Sequence, residues 1–221
     1  MQTTIVHLAI FDLDNTLIGG DSDHAWGEFL VNNHYVDSVR YRRQNDQFYQ
    51  DYQAGNLDIV AYQEFALEPL TRFSPSQQMH TQFMQTAIMP IMLPKAKKLV
   101  DKHRTQGHCL LIITATNSFI TAPIAAALGI DNLIATDGAM IDGQYTGKIE
   151  GTPSFGEGKI IRLNSWLKQQ KESFQTQTFY SDSHNDLPLL QQVDNPVAVD
   201  PDDKLRAIAA SLHWPILSLR D

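Results

Sequence analysis

Asp12 and Asp14 stand two positions apart at the end of an apolar run, in the segment LAIFDLDNTL over residues 8–17. The run LAIF reads as a buried strand, and on a strand positions i and i+2 face the same way. The spacing therefore delivers two carboxylates to one spot at a strand's C-terminal edge, where open α/β sheets bind ligands. Close carboxylates repel and are costly to desolvate unless a cation or a shared proton relieves them. Oxygen donors of this hardness suit Mg²⁺, which keeps several waters and usually adds a phosphate oxygen of a substrate. The structural alternative is a strand-to-helix loop in which Asp14, Asn15 or Thr16 caps the next helix.

Other strand ends carry polar chemistry at the same kind of position. After LLII come Thr114, Ala115, Thr116 and Asn117, a hydroxyl and a run of backbone N–H groups suited to an anion. Lys159 follows the segment GEG at the head of a helical pattern, where a point charge reaches a phosphate. After TFY come Ser181, Asp182, Ser183, His184, Asn185 and Asp186. Taken singly, Thr114 reads equally well as a helix cap, Lys159 as a surface lysine, and Asp182 and Asp186 as acids at a helix start. In a parallel sheet, however, all these ends lie along one edge.

The elements that must position them alternate. From residue 94 onward the pattern is helix (95–107), buried strand (CLLIITAT), alanine-rich helix (118–129), short strand (132–136) and a hairpin with an Asp-Gly turn over 139–150. A helix at 159–170, a strand ending at 179–182, a helical stretch at 186–193 and a last short strand at 196–199 follow. Such alternation implies an α/β fold with a doubly wound parallel sheet and right-handed crossovers. Residues 20–92 differ: Phe29, Leu30, Val36, Val39, Phe48, Tyr52, Val60, Phe65, Leu67 and Leu70 recur at helical spacing. Gly55 and Asn56 mark a break, and Ser74 with Pro75 opens a further helix. The expected organisation is a core of residues 1–19 and 93–221 with a helical insertion over 20–92.

Composition limits the partners. Net charge is -8, from 17 Lys+Arg against 25 Asp+Glu, with no clustered basic face, which argues against a nucleic-acid ligand. No stretch approaches the ~20 apolar residues of a membrane span, and the N-terminal segment lacks a basic leader. The single cysteine, Cys109, excludes an internal disulfide and fits a reducing cytoplasm. The expected partner is a small phosphorylated metabolite, handled by a monomer or homodimer.

FDLDNTL, the threonine after a buried strand, a lysine before a late helix, and YSDSHNDLPLL followed by NPVAVDPD together resemble the haloacid dehalogenase superfamily, in its phosphoserine phosphatase-like branch. The helical insertion is similar to that branch's helical-bundle cap. The resemblance implies a Mg²⁺-dependent phosphomonoester hydrolase. Asp12 would be the nucleophile, forming an aspartyl-phosphate. Asp14 would protonate the leaving alkoxide and then take a proton from the attacking water. Spacing alone does not decide between the two; the resemblance does. It further implies Mg²⁺ on Asp12, Asp182 and the backbone carbonyl of Asp14. Asp186 would be a further metal-site acid acting through water or Lys159, Thr114 and Lys159 would hold the transferring oxygens, and Asn185 would orient the loop. A phosphotransferase or mutase, or a non-catalytic phospho-ligand module, are the alternatives.

Phosphoserine phosphatases carry a glutamate seven residues after the general acid, where it meets the substrate's ammonium. Here that position is Asp21, in GGDSDHAWGEF, with Asp23 and His24 beside it. An amine-bearing substrate is expected. A substrate carboxylate would need a cation such as Arg40, Arg42, Arg43 or Arg72. Histidinol phosphate, the substrate of a related group, has an imidazole in place of that carboxylate, and the acidic, aromatic segment favours it over phosphoserine.

Overall fold

The structure is a computed structural model, and it describes residues 5–73 and 77–220. The chain opens with β1 (Ile5–Phe11) and then runs through helices α1 (Ser22–Asn32), α2 (Ser38–Ala54), α3 (Ile59–Leu67) and α4 (Gln77–Phe83). A short π turn and a 3-10 turn over 84–91 lead to α5 (Pro94–Thr105), β2 (Cys109–Asn117), α6 (Ser118–Leu128) and the antiparallel pair β3 (Asn132–Ile141) and β4 (Gln144–Glu150). There follow α7 (Glu157–Leu167), β5 (Ser173–Ser181), α8 (Leu187–Leu190), β6 (Asn195–Val199), α9 (Asp203–Ser211) and β7 (Ile216–Leu217).

The strands form one seven-stranded sheet in the order β4-β3-β2-β1-β5-β6-β7, parallel throughout except for β4. Alternation divides each central strand between two cores. Ala9 and Phe11 of β1, with Leu110 and Ile112 of β2, pack on the face shared with α1, α5 and α6. Leu8 and Ile10, with Leu111 and Ile113, pack on the opposite face under α7, α8 and α9. Both faces are covered, which is why LAIF and LLII read as unbroken apolar runs.

The residues between β1 and α5 are helical, as their periodicity predicts. Three aspartates start the helices: Asp21, Asp37 and Asp58 accept hydrogen bonds from backbone N–H groups of α1, α2 and α3. Gly55 ends α2 in the left-handed conformation, at the break read from the sequence. The chain then returns to where it left the sheet, for Gly19 N donates to Ile91 O at 2.7 Å and Ile18 bridges Met92. The helix start expected at Ser74 and Pro75 lies outside the described residues.

Several expectations need correction. β1 stops at Phe11, so Asp12 and Asp14 lie in the loop beyond it; Asp12 N still donates to Tyr180 O at 2.9 Å, continuing the ladder one residue past the strand. The short strand at 132–136 and the first arm of the hairpin are one strand, β3, which leaves β2 after Thr136 and pairs only with β4 thereafter. The helical stretch at 186–193 is a 3-10 turn over 184–186 followed by the single turn α8. β6 is not the last strand: α9 follows it, then the two-residue β7, too short to leave a periodic signal.

At Gly27, α1 comes so close to α2 that a Cβ would run into the side chain of Asn45. Asn45 is buried and donates to His24 O at 3.1 Å. Gly27→Ala should therefore overpack this crossing and displace that hydrogen bond, destabilising the protein by about 1–3 kcal/mol. Thermal unfolding should register this as a Tm several degrees below wild type.

Candidate active site

The loop after β1 is pinned by its own apolar residues. Leu13 and Leu17 are fully buried, and Leu13 O accepts from Leu17 N at 2.8 Å, so the aspartates between and before them are aimed at the sheet edge. Asp12 is 5% exposed and accepts from Lys159 Nζ at 2.8 Å. Lys159 lies in the first turn of α7 and is held there by a close backbone approach, because a Cβ at Gly158 would collide with Pro153 O. Its Nζ also donates to Asp186 Oδ2 at 2.7 Å, and Ser181 Oγ donates to the same oxygen at 2.7 Å. Of the two routes open to Asp186, water or Lys159, the direct contact is with Lys159.

Asp14 sits at a junction of three elements. Its Oδ1 accepts from Ser22 N at 2.6 Å, the first residue of α1; its Oδ2 accepts from Thr116 Oγ1 at 2.9 Å and, longer, from Thr114 Oγ1 at 3.4 Å. The capping readings are settled by other residues. Asn117 caps α6 by accepting from Ile120 N, leaving Thr114 to face the aspartates, and Ser183 caps the 3-10 turn in place of Asp182 and Asp186. Asp182 accepts from Thr16 Oγ1 at 2.9 Å, and Asp182 N donates back to that hydroxyl at 3.1 Å.

A pocket between this edge and the helices gathers Asp12, Asp14, Asp21, Thr114, Lys159, Asn185 and Asp186, each named from sequence, and adds residues that the sequence did not single out. Among the latter are Tyr62 and Gln63; Thr116, from the run after LLII, and Tyr52, read from sequence only as part of a helical pattern, line it as well. Asp21 lines it while capping α1 through His24 N at 2.8 Å. Asn185 Nδ2 lies 3.5 Å from Tyr52 O, linking the β5 loop to α2. Asp23 is 3% exposed; one oxygen accepts from Gln63 Nε2 at 3.0 Å, while Asp23 Oδ1 and Gln63 Oε1 are buried with no hydrogen-bond partner. None of the four arginines considered for a substrate carboxylate lines this pocket. Arg42 pairs with Glu28 and Arg72 with Glu68, both on the exposed helical surface.

Burial dominates the electrostatics. It raises the Asp12 carboxyl to about 7, with Lys159 opposing and Asp186 adding repulsion. Burial likewise raises Asp14 to about 6, with Asp21 adding and Ser22 and Thr116 opposing. Asp182 is pushed well above the ordinary carboxylate range by burial and by Asp12. For Lys159 burial works against the charge, but Asp12 and Asp186 more than offset it and the ammonium is held more firmly than usual. Asp12 and Asp186 thus share one lysine, Asp182 has the Thr16 hydroxyl, and the three offer only oxygen donors, the donor type that fits a hard divalent cation such as Mg²⁺.

Residues 9–191 match the profile of haloacid dehalogenase-like hydrolases, and the chain belongs to that family. It is a phosphatase, and its fold is that of the phosphoserine phosphatases. A protein of Neisseria meningitidis named histidinol-phosphatase is 47% identical over 220 residues, 97% of this chain and 99% of its own. The crystal structure of a Bordetella pertussis protein of unknown function superposes with a TM-score of 0.91 at 43% identity, covering 98% of this chain and all of that one (100%). A phospho-aspartyl intermediate analogue of phosphoserine phosphatase gives a TM-score of 0.70 at 16% identity, covering 98% and 95% of the two chains, a likeness of fold.

Asp23 supplies a pH test. Burial, then repulsion from Asp21 and Asp14, raises its carboxyl well above the usual range, with Gln63 and Tyr62 opposing. A folded pKa above the unfolded one gives stability that is complete below the unfolded value and is lost as pH rises through the folded one. Asp23→Asn removes that loss. Its Tm should exceed wild type by several degrees at about pH 8, with the difference shrinking toward about pH 5 in parallel thermal melts.

Proposed function

We propose that the protein is a Mg²⁺-dependent phosphomonoester hydrolase acting through an aspartyl-phosphate at Asp12, and that its substrate is histidinol phosphate. The observation that carries the substrate reading is the pair of orphaned acceptors, Asp23 Oδ1 and Gln63 Oε1, on residues that line the same pocket as Asp12 and Lys159. Buried acceptors without partners favour a ligand that brings N–H donors. An ammonium and an imidazole supply them, and the rings of Tyr49, Tyr52 and Tyr62 suit the flat face of an imidazole. Among the described lining residues Lys159 is the cation, and it is already shared by Asp12 and Asp186. A substrate carboxylate finds no guanidinium there, which favours histidinol phosphate over phosphoserine. The name carried by the Neisseria meningitidis relative supports the same reading.

In the reaction, an Asp12 oxygen forms a bond to phosphorus as the bond to the alkoxide oxygen breaks, and Asp14 gives that oxygen its proton. Burial raises Asp14 to about 6, so its protonated form is more populated near neutrality than that of an ordinary carboxyl. Asp14, now a carboxylate, takes a proton from water as the water oxygen attacks phosphorus, releasing inorganic phosphate and restoring Asp12. Lys159 and Thr114 hold the transferring oxygens. Mg²⁺, held by Asp12, Asp182 and the backbone carbonyl of Asp14, would offset the repulsion between the phosphate and Asp12. Residues 20–92 would act as a cap over a core of residues 1–19 and 93–221, with both connections at the Gly19–Ile91 contact. The acidic balance and the free Cys109 support a small-metabolite substrate and a cytoplasmic setting.

Ranking phosphomonoesters by kcat/KM, with Mg²⁺ and with EDTA, tests this. Histidinol phosphate should lead phosphoserine, EDTA should abolish turnover, and Asp23→Asn should lower kcat/KM for histidinol phosphate about 10–100-fold while sparing p-nitrophenyl phosphate. A leading substrate without an amine contradicts the substrate reading. A need for an added phosphate acceptor would make the protein a phosphotransferase, and no Mg²⁺-dependent release at all would make it a binding module.

A further inference from the structure

At the opposite end of β1 from Asp12, three histidines from three elements meet. His7 lies on β1, His103 in the last turn of α5, and His108 immediately before β2. One ring nitrogen from each lies within 4.8 Å of the other two. His103 Nδ1 and His108 Nδ1 are 2.8 Å apart, and the rings of His7 and His108 are 4.4 Å apart between centroids. We propose that His7, His103 and His108 form a binding site for a transition-metal ion of the Zn²⁺ class, separate from the catalytic centre.

The surroundings have the features of a ligand set. A metal-binding imidazole normally engages an oxygen through its second nitrogen, which fixes the ring and leaves the other lone pair free. His103 Nε2 stands 2.9 Å from Tyr180 Oη, so with Tyr180 accepting, Nδ1 presents its lone pair to the cluster. His7 has threonine hydroxyls on both sides, Thr176 Oγ1 at 2.5 Å and Thr178 Oγ1 at 3.0 Å, so whichever nitrogen takes a metal, the other keeps a partner. Burial lowers the pKa of His7 and, more strongly, of His103, which falls to about 4, and neighbouring histidines add to both shifts. Neutral imidazoles are the form that metals bind.

Three nitrogen donors select the borderline-soft ions, Zn²⁺ or Co²⁺, over Mg²⁺, which requires oxygens. The two sites therefore differ in chemistry as well as place, since five residues of strand separate His7 from Asp12 by about 16 Å. His103 is buried, but His7 and His108 are partly exposed, giving an ion a way in and leaving a fourth position for water. A bound ion would tie α5 to β1 and the start of β2.

The test is a Co²⁺ titration of the Mg²⁺-saturated enzyme, read by visible absorption. One equivalent should produce the intense d–d bands of a four-coordinate nitrogen-rich site, and Zn²⁺ should abolish them. His108→Gln and, separately, His7→Gln should each weaken the ion more than about tenfold in chelator competition, since loss of an outer partner alone commonly does that. Both positions are partly exposed and outside the catalytic pocket, so circular dichroism and Mg²⁺-supported phosphate release should stay at wild-type levels. Absence of the bands in the wild-type enzyme, or unchanged affinity in either folded variant, overturns the proposal.

Discussion

One ammonium, on Lys159, faces a surplus of carboxylates at the C-terminal edge of the sheet, and the rest of the site is arranged around that imbalance. Asp12 and Asp186 divide Lys159 between them, Asp182 depends on the Thr16 hydroxyl, and Asp14 on two threonines and the start of α1. In a buried setting such acids cannot all ionise without help from protons, hydrogen bonds or a cation. Burial raises both Asp12 and Asp14, to about 7 and about 6, and what distinguishes the two is their partners: an ammonium beside Asp12, and hydroxyls with a backbone N–H around Asp14.

The same imbalance explains the architecture. Strands β1 and β2 and the Phe179–Tyr180 end of β5 are apolar on both faces, so they hold the acids rigidly where water is scarce and desolvation is strong. Asp14 also accepts from the first N–H of α1, so the helical layer is fastened to the loop after β1 by one of the groups proposed to react. That helical layer contributes Asp21, Asp23 and Gln63 and, among the described residues, no basic side chain to the pocket, extending the negative character from the phosphate end to the end that would read an amine.

Much of this was legible in the sequence because it depends on local pattern. The apolar runs marked the central strands, and the residue types at their ends named Asp12, Asp14, Thr114, Lys159, Asp182 and Asp186 before any geometry was known. Other features depend on packing between distant segments. Asp23 became distinctive only when Gln63, forty positions later, was laid against it with both residues keeping an unpartnered oxygen. The histidine cluster requires β1, α5 and the start of β2 to converge, and no spacing within one element reports that. The arginines were plausible by charge alone, and their places on the outer helical surface exclude them from the pocket.

In the proposed reaction these carboxylates divide into a nucleophile at Asp12 and a proton carrier at Asp14. Rapid acid quench of the enzyme during turnover, followed by peptide mass mapping, tests it most directly. A phosphate should appear on the peptide containing Asp12 and be absent in Asp12→Asn; a phosphate on any other residue, or an equal yield in that variant, would overturn the division of roles.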